Sequence, residues 1–91
     1  MSAVRNNEAE SRYELAVDGN LAIAVYQRRG AVVAFTHTEV PSELEGHGVA
    51  SALVKGALAD VRAHSWHVIP ACEFVEAYFQ RHPEEQDLLV G

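Results

Sequence analysis

The chain has 91 residues, enough for one domain built around one compact core or completed by a partner's surface. Seven Lys and Arg stand against thirteen Asp and Glu, a formal net charge of −6. That balance weighs against a nucleic-acid partner, whose binding rests on neutralised phosphates, and suits a basic or amine-bearing one. No apolar run approaches the roughly 20 residues that span a bilayer, and MSAVRNNEAESR has no apolar stretch of a secretory signal. The expectation is a cytoplasmic protein without a membrane partner.

Residues 1–11 are polar and aperiodic and read as a flexible leader, leaving 12–91 as the folded domain. From Arg12 the pattern alternates, with Tyr13, Leu15 and Val17 on one face and Arg12 and Glu14 on the other, the period of a half-buried strand. Asp18-Gly19-Asn20 supplies a turn, and Leu21, Ile23 and Val25 resume the alternation of a half-buried strand through Tyr26. Arg29-Gly30 is the next turn, and Ala31 to Val40 reads as a third strand ended by Pro41.

The period then changes. Ala50, Leu53, Val54, Ala57, Leu58 and Val61 match an amphipathic helix from about Gly46 to Ala63. Gly56 within it costs about 1 kcal/mol relative to alanine and would let another element approach closely. Trp66 to Ile69 reads as a short buried strand entering Pro70, and Glu73 to Gln80 as a second helix with Phe74, Val75, Tyr78 and Phe79 on its apolar side. Glu84 to Val90 is a turn or tail helix. The class is α+β: three antiparallel strands, a helix, a strand parallel to the third, and a C-terminal helix.

The most informative stretch is Glu45-Gly46-His47-Gly48-Val49-Ala50-Ser51, which follows a strand and opens a helix. Small residues there let backbone approach a ligand, and the unpaired first N–H groups of the helix attract an anion such as a pyrophosphate. A glycine pair that only eases the chain into a helix would look the same.

The same stretch resembles the (Arg/Gln)-x-x-Gly-x-(Gly/Ala) motif of GNAT N-acetyltransferases, with Gly48 and Ala50 at its last two positions and Glu45 where Arg or Gln is usual. The chain is most similar to a small, GNAT-like group that lacks the usual acceptor-binding helices. His37-Thr38-Glu39-Val40-Pro41, Gly46-His47-Gly48-Val49-Ala50, Pro70-Ala71-Cys72 and Tyr78-Phe79-Gln80-Arg81-His82-Pro83 carry that likeness in order. The resemblance implies a truncated GNAT fold and acetyl transfer from acetyl-CoA, a small-molecule CoA thioester, to an amine or thiol acceptor, including a peptide or protein amine. It places the pyrophosphate over the amides of Gly46, His47, Gly48, Val49, Ala50 and Ser51. Pantetheine would pair with backbone around Thr38 and Val40, in a V-shaped gap between the third strand and the one at Trp66 to Ile69. Cys72 would sit near the thioester. A non-catalytic CoA-binding sensor or partner module is the alternative reading.

Read from the residues alone, Cys72 follows Pro70 and opens a helix, where the helix end favours thiolate; it is either an acyl-accepting nucleophile or an inert, half-buried cysteine. As the single cysteine it forms no intrachain disulfide. His37 and Glu39 share one face of their strand; His37 could act as general base, and Glu39 could take that role or orient the histidine, or each is a sheet-surface residue bonded to a neighbour. With both strand ends at one sheet edge, His37 is expected to assist Cys72. His47, His64, His67 and His82 show no ligand spacing, so no metal site is expected.

Overall fold

The computed structural model describes residues 3–90. Five strands lie side by side in chain order: β1 (Arg5–Asn7), β2 (Arg12–Val17), β3 (Asn20–Arg29), β4 (Val32–Glu39) and β5 (His67–Pro70). The first four are antiparallel, and β5 joins β4 in parallel after the crossover helix α1 (Val49–Ala63). Helix α2 (Glu73–Arg81) follows, then a 3-10 turn over Pro83–Leu88. The parallel strand and both helices stand where periodicity put them.

Two expectations change. The polar segment before Arg12 is not a frayed leader within the described residues, because Arg5, Asn6 and Asn7 pair with Glu14, Tyr13 and Arg12. Its polarity has a local cause: the Glu14 carboxylate accepts hydrogen bonds from Arg5 (2.6 Å), Asn7 (2.9 Å) and Arg12 (2.7 Å), so this edge is held by charge rather than apolar burial. Residues 1 and 2 of the expected leader lie outside the described residues. The second change is the face of β3. Ala22, Ala24 and Tyr26 point into the core, while Leu21 is exposed and Ile23 and Val25 are half-buried on the far side. Alanines win the inner face because they pair with Tyr13 and Leu15, leaving room for α1 to lie close to the sheet.

The turn between β2 and β3 has two residues, Asp18 (φ 50°) and Gly19 (φ 79°), whose paired positive φ values match the twist of a tight hairpin. Below α1, the rings of Tyr13, Tyr26 and Phe35 cluster at centroid distances of 5.3–6.3 Å. Leu53, Val54, Ala57, Leu58 and Val61 of α1 close over them, as the helical spacing predicts, and Val75, Tyr78 and Phe79 of α2 complete the same core. Tyr78, adjacent to the stacked ring of His82, is a packing residue of that core. The phenol of Tyr13 reaches through to Asp60 of α1 at 2.7 Å. At the other sheet edge, Leu89 bridges to Val68 and Arg62 clamps Glu85 and Asp87, tying the C-terminal segment down.

Both helices thus cover one face of the sheet. The opposite face carries the Glu14 network, Leu21, Ile23, Val25, Ile69 and the pair His37–Glu39, all at positions the strand pairing places away from the core.

Candidate active site

The sheet splits where the site lies. β4 and β5 pair only from Val32↔His67 to Phe35↔Pro70, after which β4 continues through Thr36, His37, Thr38 and Glu39 with no further partner on β5. The chain leaving β5 instead turns at Ala71 into α2, with Cys72 as the residue before its first turn. That geometry opens a gap with free strand edge on one side and a helix start on the other.

A β-bulge decides what faces the gap. Tyr26 pairs with Phe35 but Val25 pairs with His37, so Thr36 is an extra residue and the alternation of β4 reverses beyond it. Thr38 therefore shares the core face with its partner Ala24, and its Oγ1 lies 3.3 Å from the Cys72 Sγ. His37 and Glu39 emerge on the open face, where Nε2 of His37 lies 3.1 Å from Oε2 of Glu39. The expected pairing of His37 with Glu39 is present. The expected approach of His37 to Cys72 is not, because the two project from opposite faces of the sheet.

Partial burial pushes the Cys72 thiol up, but the Thr38 hydroxyl and the backbone groups of Val75, Phe74 and Thr38 outweigh it and set the thiol below its usual range. The contacts from Phe74 and Val75 are those of a helix start, whose first N–H groups have no intrahelical partner.

Helix α1 begins at the other wall. Gly48 precedes its first turn with φ 71°, and Gly46 has φ 82°, values that side-chain-bearing residues rarely adopt. No side chain caps this end, so the first amides of α1 stay available. A Cβ at Gly46 or Gly48 would meet no protein atom within 4 Å. The space beside these glycines is open, as close approach of a ligand to backbone requires. A cavity of about 210 Å³ lies beside them, lined by Val40, Gly46, Gly48, Val49, Ala50 and Ser51 together with Leu44, Glu45 and Phe74.

Eight of the residues singled out from sequence thus lie close together, six on the cavity wall and the contacting pair Thr38 and Cys72 beside it. His47 is exposed and is not on that wall. Leu44 and Phe74 are additions; only the hydrophobicity of a loop residue and of a helix start hinted at them. Glu45 lines the cavity, and no hydrogen bond or ion pair engages its carboxylate among the described residues.

The model of the GCN5-related N-acetyl-transferase family matches residues 12–88. The chain belongs to that family. Membership assigns it to the acyltransferases in general terms. The fold is also similar to the solution structure of a GCN5-like candidate N-acetyltransferase from Staphylococcus aureus, with a TM-score of 0.73 and 26% identity over 100% of this chain and 92% of that one. In this GCN5-related chain the cavity at the glycine-opened start of α1 is bounded by Val40, the residue after β4, and by Phe74, two residues beyond Cys72.

Proposed function

We propose that this protein moves an acetyl group from acetyl-CoA to an amine acceptor, with Cys72 as the residue next to the reacting thioester. The observation that carries the reading is the proximity of three features: the free edge of β4, whose Thr38 touches the lowered thiol of Cys72, and the uncapped start of α1, whose cavity Val40 and Phe74 also line. The residues fit the cosubstrate. The α1 amides suit a pyrophosphate, the unpaired edge from Thr36 to Glu39 suits the amides of pantetheine, and the open space beside Gly46 and Gly48 suits close backbone contact.

Acetyl-CoA supplies the activated acyl carbon. The Cys72 thiolate attacks that carbon, the bond to the CoA sulfur breaks, and the CoA thiolate leaves and takes up a proton. The acceptor amine then attacks the acetyl-cysteine, Cys72 leaves as thiolate, and the amine proton passes to a base. That base is solvent in the covalent scheme, because His37 and Glu39 emerge on the face of the sheet opposite Cys72. The face of the sheet that no helix covers is the open approach to the gap between β4 and β5. That open face suits a peptide or protein amine.

Incubation with acetyl-CoA followed by intact-mass measurement tests the reading. One added acetyl group, released by neutral hydroxylamine and lost in Cys72→Ser, is the expected result. Full turnover by Cys72→Ala would sink the covalent scheme and leave direct transfer with Glu39 or His37 as base. Glu45 favours a second reading, a CoA-binding module without turnover, because it sets an unneutralised carboxylate on the wall where phosphates would lie. CoA binding with neither adduct nor acetylated product would support that alternative.

A further inference from the structure

A second cavity lies outside this cleft, along the middle of α1. It measures about 400 Å³, within the range of small-molecule sites, and runs between the N-terminal segment and the helix. Val4 and Leu15 form one wall, and Ala52, Gly56 and Ala59 form the other. No α1 residue on that wall carries a side chain larger than a methyl group except Lys55. The trough exists because Gly56, unfavourable in a helix interior, adds no side chain to fill it.

Lys55 gives the groove its chemistry. It lines the cavity, is exposed, and makes no hydrogen bond or ion pair among the described residues. Arg5, Arg12 and Arg62 are paired with carboxylates, and none of the chain's arginines is among the residues lining the groove. No Asp or Glu is among the residues lining the groove. An unneutralised ammonium beside an apolar trough complements a molecule with an anionic head and an aliphatic tail. A neutral tail would leave the charge unused, and a cationic head would be repelled.

We propose that this groove binds a medium-chain carboxylate, its tail against Leu15, Ala52, Gly56 and Ala59 and its head at Lys55. The site stands apart from the acetyl-transfer cleft, and its test does not depend on the function proposed for that cleft.

The experiment is a titration of isotope-labelled protein followed by amide NMR. Sodium decanoate is used below its micelle concentration, with decyltrimethylammonium as the charge-reversed probe. Decanoate should produce saturable shifts centred on Ala52, Lys55, Gly56 and Ala59. Lys55→Glu should weaken it by about tenfold, the loss of one favourable charge contact. Ala59→Leu, at an exposed helix position where the fold is retained, should fill the trough and abolish binding. Absence of saturable shifts overturns the proposal. So does an equal response to decyltrimethylammonium, a response centred on Gly46 to Ser51, or sedimentation showing a ligand-free dimer that occupies the groove.

Discussion

Thr38 Oγ1 lies 3.3 Å from Cys72 Sγ, joining the free end of β4 to the first turn of α2. The contact exists only because the bulge at Thr36 turns Thr38 toward the helices. A hydroxyl there stabilises a thiolate by donating to it, in concert with the backbone groups at the start of α2. Thr38→Val keeps a β-branched side chain but removes that donor. The midpoint of iodoacetamide alkylation against pH should therefore move upward, and Thr38→Ser should hold it near the wild-type value. An unchanged profile in Thr38→Val would mean that backbone groups alone set the thiol.

Gly48 separates backbone strain from ligand contact. At φ 71° a side chain costs about 1–2 kcal/mol, and Gly19 at φ 79° offers a matched position far along the sheet, where a Cβ also meets nothing. Gly48→Ala and Gly19→Ala should lose comparable stability in thermal or denaturant unfolding. Calorimetric titration should show weaker CoA binding for Gly48→Ala alone. Equal CoA affinity in both variants would place the phosphates elsewhere.

Glu45 lines the cavity with a carboxylate that has no cation beside it among the described residues. Glu45→Gln removes a like charge from the expected phosphates, so CoA affinity should rise. The gain should shrink as salt is added, since screening already weakens exposed charge pairs. Affinity that stays level at low salt would show the carboxylate pointing away from the bound anion.

Glu14 links fold stability to pH. Hydrogen bonds from Asn7, Arg5 and Arg12 hold its carboxyl at about 2, below the ordinary 4.5. A depressed carboxyl contributes stability that is fully present above about pH 4.5 and is lost as pH falls toward 2. Denaturant unfolding of Glu14→Gln should therefore match wild type most closely at the acid end and fall behind it as pH rises through that window. Amide exchange should show β1 loosening before the rest of the sheet. A constant deficit across the window would assign the loss to packing rather than to charge.

Much of this protein was legible before folding because the signals were local. The α1 stripe from Leu53 to Val61 is a 3.6-residue period and needs no distant partner to be seen. The parallel placement of β5 follows from a strand, a helix and a strand in succession. The Gly46 to Ser51 stretch announced an open helix start because positive φ and uncapped amides are properties of a few adjacent residues.

What failed to show in the sequence were choices between two faces. Leu21, Ile23 and Val25 outrank Ala22 and Ala24 in hydrophobicity, yet the alanines are buried, because the space left beside Tyr13 and under α1 was small. The strand at Arg5–Asn7 depends on Glu14, a partner across a turn, and has no apolar pattern of its own. The single extra residue at Thr36 mattered most. Unbroken alternation from Val33 and Phe35 would carry His37 and Glu39 to the core face, beside Cys72. One bulged residue inverts that parity, putting Thr38 against the thiol and the His37–Glu39 pair on the open side. A bulge is set by how two strands pair across the sheet, so only the assembled tertiary structure could decide which side of the cleft each group serves.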